Sequence, residues 1–278
     1  MACTNPIFGF PCGKCLDCRI QYSATWSARL IHELSSWNNV GCFVTLTFND
    51  DFVGDNCLNI KDLQLFFKRL RKAIFPRKIK HFSCGEYGDS TGRRHYHSII
   101  FGLDCSIDTQ RLIEKEWPFG FVKVGTVTYD SCRYVSDYVL KKYNGEKQKK
   151  VYGSRQQPFR IMSNGLGKAF VLSDIDNFIA NNGFTIRGKA RGLPRYYKDV
   201  IYWHKFETEG QLAALRCLID LKRRSRFLSE TKSKLFHDSF VAAGLEVNNS
   251  FVKYCETGAL NRERHLNYKN RNYAKGEL

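Results

Sequence analysis

The chain has 278 residues, of which 43 % are hydrophobic, 14 % aromatic and 26 % charged. This composition is typical of a globular protein with one large or two smaller domains, and it excludes a chain that is disordered throughout. Lysine and arginine number 44 against 27 acidic residues, a formal net charge of +17. The expected partner is therefore a polyanion, with nucleic acid first and an anionic membrane surface second. Because there is no long apolar run and no signal-peptide pattern, we expect an intracellular protein.

The first third of the chain predicts helices on either side of a strand. Apolar residues at helical spacing predict a helix over 21–37. Residues 43–48 alternate apolar and hydroxyl side chains, which predicts a strand with two different faces that stops at the turn residues 49–51. Apolar residues at helical spacing from Leu63 to Ile74 predict an amphipathic helix with a basic polar side.

The middle of the chain predicts a hairpin and then further helices and strands. Residues 78–87 and 94–102 each have the pattern of a strand and are joined by a polar turn at 88–92. A helix around 108–116, a strand around 121–128 and a helix over 131–143 follow. These elements predict an α+β fold with an antiparallel sheet of about five strands, a central histidine strand, helices on one face and the metal site on the other.

Two histidines in the second hairpin strand form the first candidate site. His95 and His97 point the same way because side chains alternate along a strand, and Glu86 on the preceding strand lies across the turn. Two imidazoles and a carboxylate are a ligand set for one divalent metal. The alternative is that both histidines are satisfied within the core.

A pair of tyrosines forms the second candidate site. Tyr134, Tyr138 and Lys141 are spaced i, i+4 and i+7, so they line one face of a helix. A phenol attacks phosphorus only with a nearby cation or a metal-polarised electrophile, and Lys141 is the candidate cation. Taken alone, the pair is equally consistent with packing.

The cysteines at the beginning of the chain form a candidate structural site. Cys12, Cys15 and Cys18 are separated by two residues each, and Cys3 lies upstream. This spacing is typical of zinc knuckles. An iron–sulfur cluster or the absence of any metal remains an alternative.

Several basic and aromatic residues are candidates for contacts with DNA. Residues 187–198 contain five basic residues and no acidic one. The segment Gly165–Gly167 is predicted to be a turn and not a phosphate loop, because it lacks the Walker spacing, and this argues against an ATPase. The predicted DNA-binding set is Lys68, Arg69, Arg71, Lys72, Arg94, Lys142, Arg191, Arg195, Tyr196 and Tyr197.

The order of these motifs resembles that of HUH endonucleases, and more closely that of the replication initiators of gokushovirus-type microviruses, which are small single-stranded DNA phages. The resemblance rests on residues 43–48, 84–88, 94–97 and 134–142, and it extends to residues 11–19, 165–167 and 193–197. It therefore covers most of the chain, with the central motifs specific as a set and the C-terminal ones weak.

The resemblance implies a metal-dependent DNA nicking and joining enzyme with the HUH fold. Glu86, His95 and His97 would hold Mg²⁺ or Mn²⁺, and a tyrosine would attack the origin phosphate, remain joined to the 5′ phosphate and later reseal the circle. Tyr138 followed by Lys141 matches the Tyr-x-x-Lys spacing of single-tyrosine relatives, so we expect Tyr138 to cleave first and Tyr134 second.

The resemblance also implies an organisation and a setting. We expect a Cys-rich element with a helix at 1–37, a nuclease core at 38–145, and a basic region at 146–278 that packs on the core or binds DNA. The expected partners are single-stranded origin DNA and the host replication helicase and polymerase, in the cytoplasm of an infected bacterium. The alternatives are a transposase with the same chemistry, a non-catalytic zinc-stabilised nucleic-acid binder, and, least favoured, a non-haem iron oxygenase.

Overall fold

The computed structural model describes residues 12–13, 15–88, 90–141 and 151–225, with the backbone alone for Leu16 and for 138–141. The chain divides into two compact units, residues 1–170 and 171–278. Each unit is described by itself. Among the described helices, none combines the length and the apolar character that a membrane span requires.

The first unit contains a five-stranded antiparallel sheet. Its elements are α1 (Leu16–Ser36), β1 (Gly41–Thr47), α2 (Ile60–Ala73), β2 (Lys80–Tyr87), β3 (Arg94–Phe101), α3 (Ile107–Glu116), β4 (Val122–Thr126), α4 (Tyr129–Lys141) and β5 (Phe159–Met162). The strand order is β4-β1-β3-β2-β5. The predicted α+β architecture, the five strands and the central position of the histidine strand β3 are confirmed.

Helices cover both faces of this sheet, so the prediction of helices on one face and the metal site on the other is wrong. On one face, α2 and α3 pack against β1 and β3, with Phe66 and Tyr96 fully buried in that core. On the other face, α1 and α4 pack against β2 and β3 around Phe82 and Ile99. The central strands bury apolar side chains on both sides, and a strand of this kind must be covered twice.

Local signals define the ends of the helices on the first face. The side chain of Asn59 caps α2 by accepting a hydrogen bond from the Lys61 amide at 3.0 Å. Ser106 caps α3 in the same way through the Thr109 amide. Such caps satisfy amide groups that have no partner inside the helix.

The segment Gly165–Gly167 forms an anchor in the first unit. The buried carboxylate of Glu33 accepts a 2.6 Å hydrogen bond from the Gly167 amide and pairs with Lys80 at 2.8 Å. Arg29 donates two hydrogen bonds to the Leu166 carbonyl, at 3.0 and 3.2 Å. A buried charge is tolerated when it is paired and hydrogen-bonded in this way.

The second unit is mainly helical with one short hairpin. Its elements in chain order are α5 (Lys168–Ser173, at the boundary between the units), α6 (Ile175–Asn181), β6 (Gly183–Ile186), β7 (Lys189–Gly192), α7 (Arg195–Glu209) and helical residues 211–225. Arg187 and Gly188 join β6 to β7 with φ angles of 48° and 71°. Positive φ at both central residues is the requirement of a type I′ hairpin turn.

Candidate active site

The register of the β2–β3 hairpin brings the three predicted metal ligands together. Glu86 lies directly opposite His95, and His97 follows on the same face of β3. The Glu86 Oε1 atom is 2.7 Å from His95 Nε2 and 3.1 Å from His97 Nε2. The ligand atoms all lie within 4.8 Å of one another. This cluster of Glu86, His95 and His97 is called the triad below.

Hydrogen bonds at the far side of each ring orient the two histidines. His95 Nδ1 lies 3.1 Å from the carbonyl oxygen of Arg93, which can only accept, so this nitrogen carries the proton. His97 Nδ1 lies 3.0 Å from the Thr45 hydroxyl. Both rings therefore direct Nε2 at Glu86. Partners of this kind commonly hold metal-binding imidazoles.

Electrostatics keep the Glu86 carboxylate charged. Burial by itself would raise the pKa of Glu86, but hydrogen bonds from His95 and His97, together with their charge, lower it below its usual value. The side chain is 6 % exposed. An anionic oxygen and two imidazole nitrogens suit a divalent ion such as Mn²⁺, whereas Mg²⁺ favours oxygen ligands and waters. The residues present therefore fit the predicted metal.

Tyr134 lies against the triad. Its hydroxyl is 3.5 Å from His97 Nε2, and its ring packs edge-on against the ring of His97, with 5.1 Å between centroids. The ring of Phe43 stacks on the other side of the histidine at 5.6 Å. Helix α4 is held against α1 by a hydrogen bond from Ser23 to Asp137. A phenol oxygen therefore lies beside the atoms that would bind the metal.

Tyr138 and Lys141 lie on the same helix as Tyr134, one and two turns further along. Helical periodicity predicts that they share its face. Their side chains lie outside the described part of the structure, and Lys142 lies outside it altogether. The roles predicted for these residues stay predictions.

Three of the four predicted thiols form a second cluster. The Sγ atoms of Cys12 and Cys18 are 4.0 Å apart, and the Cys15 amide donates a hydrogen bond to Cys12 Sγ at 3.3 Å. All three Sγ atoms lie within 4.8 Å of one another, and Cys15 precedes the first residue of α1. The partial positive charge at a helix start favours thiolates. Cys3 lies outside the described residues.

The structure separates several predicted DNA-binding residues of the first unit from the triad. Helix α2, which carries Lys68, Arg69, Arg71 and Lys72, packs on the opposite face of the sheet. The guanidinium of Arg69 donates to the Glu116 carbonyl at 2.9 and 3.2 Å. The side chain of Arg94, 12 % exposed, bonds to the Cys57 carbonyl and lies 3.5 Å from Asp62. These last two arginines serve local structure.

The second unit contains the remaining predicted DNA-binding residues. Arg191 is on β7 and Arg195 begins α7 with an exposed side chain. Tyr196 is partly exposed. Tyr197 is fully buried and packs against Phe178, so in this conformation its ring is not available to stack on a base. Its apolar surroundings in the core account for this difference from the prediction.

Sequence reasoning missed the groups that orient the two histidines. Thr45 belongs to the alternating strand 43–48, and its place opposite His97 follows from the β1–β3 register. The hydroxyls at positions 45 and 47 were a signal that this strand face is polar. The carbonyl of Arg93 carries no side-chain signal, because any residue at that position supplies one. The part of the chain that the structure describes is thus an α+β protein with a buried two-histidine, one-carboxylate candidate metal site beside a tyrosine.

Comparisons with known proteins agree with the predicted family. The family model for the replication-associated protein ORF2 matches residues 41–143. The replication-associated protein ORF4 of Chlamydia phage 1 is 30 % identical over 215 residues, which cover 70 % of this chain and 54 % of that protein. The replication-associated protein VP4 of Bdellovibrio phage phiMH2K is 29 % identical over 251 residues, which cover 82 % of this chain and 76 % of that protein.

A third relative establishes the family. The replication-associated protein ORF2 of Spiroplasma virus 4 is 30 % identical over 223 residues, which cover 72 % of this chain and 68 % of that protein. The chain belongs to the family of replication-associated proteins of gokushovirus-type microviruses, as its motifs predicted. The match spans about half the length of the Chlamydia phage protein. No solved structure matches the chain.

Proposed function

We propose that this chain is a replication initiator that nicks single-stranded origin DNA by metal-assisted tyrosine transesterification and rejoins the ends in rolling-circle replication. The observation that carries the proposal is the convergence of Glu86, His95 and His97 with the Tyr134 hydroxyl beside them. The net charge of +17 supports a nucleic-acid substrate. The printed names of the relatives concern replication, which favours an initiator over a transposase.

The fold part of the proposal is that the first unit has the HUH architecture. Support comes from a five-stranded antiparallel sheet with the two histidines on its central strand, the carboxylate on a neighbouring strand and the tyrosine helix α4 over the same face. We propose residues 38–145 as the nuclease core, 1–37 as a Cys-rich element and 146–278 as a basic DNA-binding region. The family match at 41–143 lies within the proposed core.

The chemistry proposed for the site is a transfer of one phosphodiester bond. The phenol oxygen of a tyrosine forms a bond to phosphorus as the bond from phosphorus to the 3′ oxygen breaks. The phenol loses its proton, the departing 3′ oxygen gains one, and the 5′ phosphate stays on the enzyme. A bound divalent ion would supply Lewis-acid polarisation of the phosphate. Glu86, His95 and His97 would hold that ion, and Thr45 and the Arg93 carbonyl would hold the rings.

Two tyrosines on one helix face suit two successive cleavages. We propose that Tyr138, followed by Lys141 as its proton-handling partner, makes the first cut, and that Tyr134 makes the second and allows the circle to be resealed. Both hydroxyls must reach one phosphate in turn, so one helix face over the triad is the geometry required.

Peptide mapping of a covalent adduct tests the proposal. Single-stranded oligonucleotides that tile the phage genome are incubated with the protein and Mn²⁺, and the adduct is digested and mapped. Tyr138→Phe should lose most initial cleavage, and Tyr134→Phe should form the adduct but fail at the second cleavage. Tyr129→Phe, on the same helix, is the matched control and should behave as wild type. An adduct that persists in the Tyr134→Phe/Tyr138→Phe double variant would refute the tyrosine assignment.

For the thiol cluster we propose a structural zinc site made by Cys3, Cys12, Cys15 and Cys18. Support comes from the three clustered Sγ atoms and the amide-to-sulfur hydrogen bond at Cys12. Purified protein should contain about one zinc ion and lose thermal stability on chelation. Cys105→Ser, which removes an exposed thiol elsewhere, is the control that should keep the metal. Elemental analysis that finds iron would indicate an iron–sulfur cluster, and a metal-free protein would refute the site.

The setting follows from the same proposal. The chain would act in the cytoplasm of an infected bacterium on single-stranded origin DNA, and the free 3′ hydroxyl would be extended by the host polymerase. A host helicase would open the duplex ahead of it.

A further inference from the structure

One row of residues crosses the sheet through the triad. The strand register pairs Lys123 with Thr45, Thr45 with His97, His97 with Cys84, and Cys84 with Arg160. Side chains that lie directly opposite one another on neighbouring strands point to the same face. Lys123 on β4 and Arg160 on β5 therefore lie on the face of the triad. Each is two strands from His97, or roughly 10 Å.

Two positive charges consequently lie on either side of the candidate metal site. Lys123 is exposed, and within the described residues its ammonium has no carboxylate at salt-bridge distance. Its neighbours Val122 and Val124 pack on the opposite core, which confirms the direction of its side chain. The guanidinium of Arg160 lies over the rings of Tyr22 and Trp26, at 4.8 and 5.7 Å. These rings orient the guanidinium without neutralising it.

An exposed aromatic ring lies next to Lys123. Phe121 precedes it by two residues, the spacing that puts both on one face of a strand. The Phe121 carbonyl accepts hydrogen bonds from the Thr47 amide and hydroxyl, both at 3.0 Å, so its backbone continues the line of β4. Its side chain is nevertheless 82 % exposed. A ring held outside the core beside an exposed cation is the combination by which proteins bind single-stranded nucleic acid.

We propose that single-stranded DNA lies across this row, with Lys123 and Arg160 on phosphates on either side of the scissile one and Phe121 stacked on a base. The opposite face of the sheet is closed by α2 and α3, so the triad face is the one that can receive a strand. The inference rests on the proposed nicking function for the identity of the substrate. It adds where the strand lies and which side chains hold it.

Binding without cleavage tests this inference. A fluorescent oligonucleotide about 12 nucleotides long is titrated in EDTA at several salt concentrations. Lys123→Ala and Arg160→Gln should each reduce the slope of log affinity against log salt by about 0.7, because each removes one phosphate contact. Phe121→Ala should weaken binding about tenfold with an unchanged slope, and Phe121→Tyr should restore it because the ring remains.

Matched variants on the opposite side of the sheet serve as controls. Lys68→Ala removes an exposed ammonium from α2, and Phe75→Ala removes a ring that is 84 % exposed. Circular dichroism confirms that each variant is folded. Unchanged affinity in both Phe121→Ala and Lys123→Ala, or equal losses in the controls, would overturn the inference. Covalent adduct formation is measured separately, so loss of the nicking proposal with binding effects at Phe121 intact would be recognised as a different failure.

Discussion

The two faces of the sheet both bury histidine, but the surroundings differ. On the α2 face, His81 stacks on Phe67 with 3.7 Å between ring centroids, and its Nδ1 lies 3.0 Å from the Ser83 hydroxyl. Burial, with Arg71 adding to it, lowers the pKa of His81 to about 3, so the ring is neutral. On the other face, His97 lies against a carboxylate and a phenol.

The comparison teaches that convergence, not burial, distinguishes a site from a core. His81 and His97 are equally hidden from solvent, at 6 % and 5 % exposure. One has an aromatic ring and a hydroxyl as neighbours and needs no further partner. The other directs a nitrogen at Glu86 together with His95, an arrangement that costs free energy unless protons or a metal join the three groups.

The largest expected effect distinguishes the two histidines by activity. His97→Ala should lower the rate of Mn²⁺-dependent nicking by about 10³-fold, since a metal supplies several kcal/mol of transition-state stabilisation. His81→Ala should leave the rate per folded molecule unchanged. Single-turnover cleavage of an origin oligonucleotide gives both values. Full nicking by a His95→Ala/His97→Ala double variant would contradict the metal assignment.

The next effect distinguishes the two faces by stability. Phe66 is fully buried on the α2 face. Phe66→Ala should reduce the free energy of unfolding by about 3–5 kcal/mol, because it removes a large side chain and leaves a cavity. Tyr134→Phe keeps its ring and should cost under about 1 kcal/mol. Urea denaturation followed by fluorescence measures both, and the reverse order would contradict the division into core and site.

A smaller effect concerns the pH dependence of stability. An unfolded histidine with a pKa of 6.5 takes up a proton as pH falls, whereas folded His81 does not until about pH 3. Protonation therefore favours the unfolded chain, and the stabilisation present above pH 6.5 is lost below it. Between pH 6.5 and 5 this amounts to about 2 kcal/mol at most.

Denaturation at several pH values checks this expectation. His81→Gln should lose less stability over the same interval than wild type does. His32, whose burial lowers its pKa to about 4, contributes the same dependence in both proteins and so cancels in the difference. Identical pH profiles for wild type and His81→Gln would show that His81 is protonated in the folded chain.

The smallest expected effect concerns the basic surface of α2. Lys68→Ala and Lys72→Ala should change the affinity for a short single-stranded oligonucleotide by less than about twofold, because exposed charges on a face remote from the triad are largely screened. The salt slope should stay the same. A decrease of about 0.7 for each variant would mean that both lysines contact phosphate, as the sequence predicted.

Short-range patterns in the sequence determined much of the candidate site. Strand alternation by itself requires His95 and His97 to share a face. The short polar turn of the hairpin allows Glu86 to lie opposite His95. Helical periodicity in the same way put Tyr134 and Tyr138 on one face of a helix. Each of these relations lies within a single element or one hairpin, where backbone geometry leaves few choices.

The tertiary structure decided what depends on distant parts of the chain. Strand order placed β1 and β5 on either side of the hairpin, and thereby brought Thr45, Lys123 and Arg160 into one row with His97. It also covered the sheet on both faces and buried Tyr197 within the second unit. Apolar periodicity marks the side that an element buries but not the element that covers it, since many packings satisfy the same pattern. Long-range pairing selects among these packings.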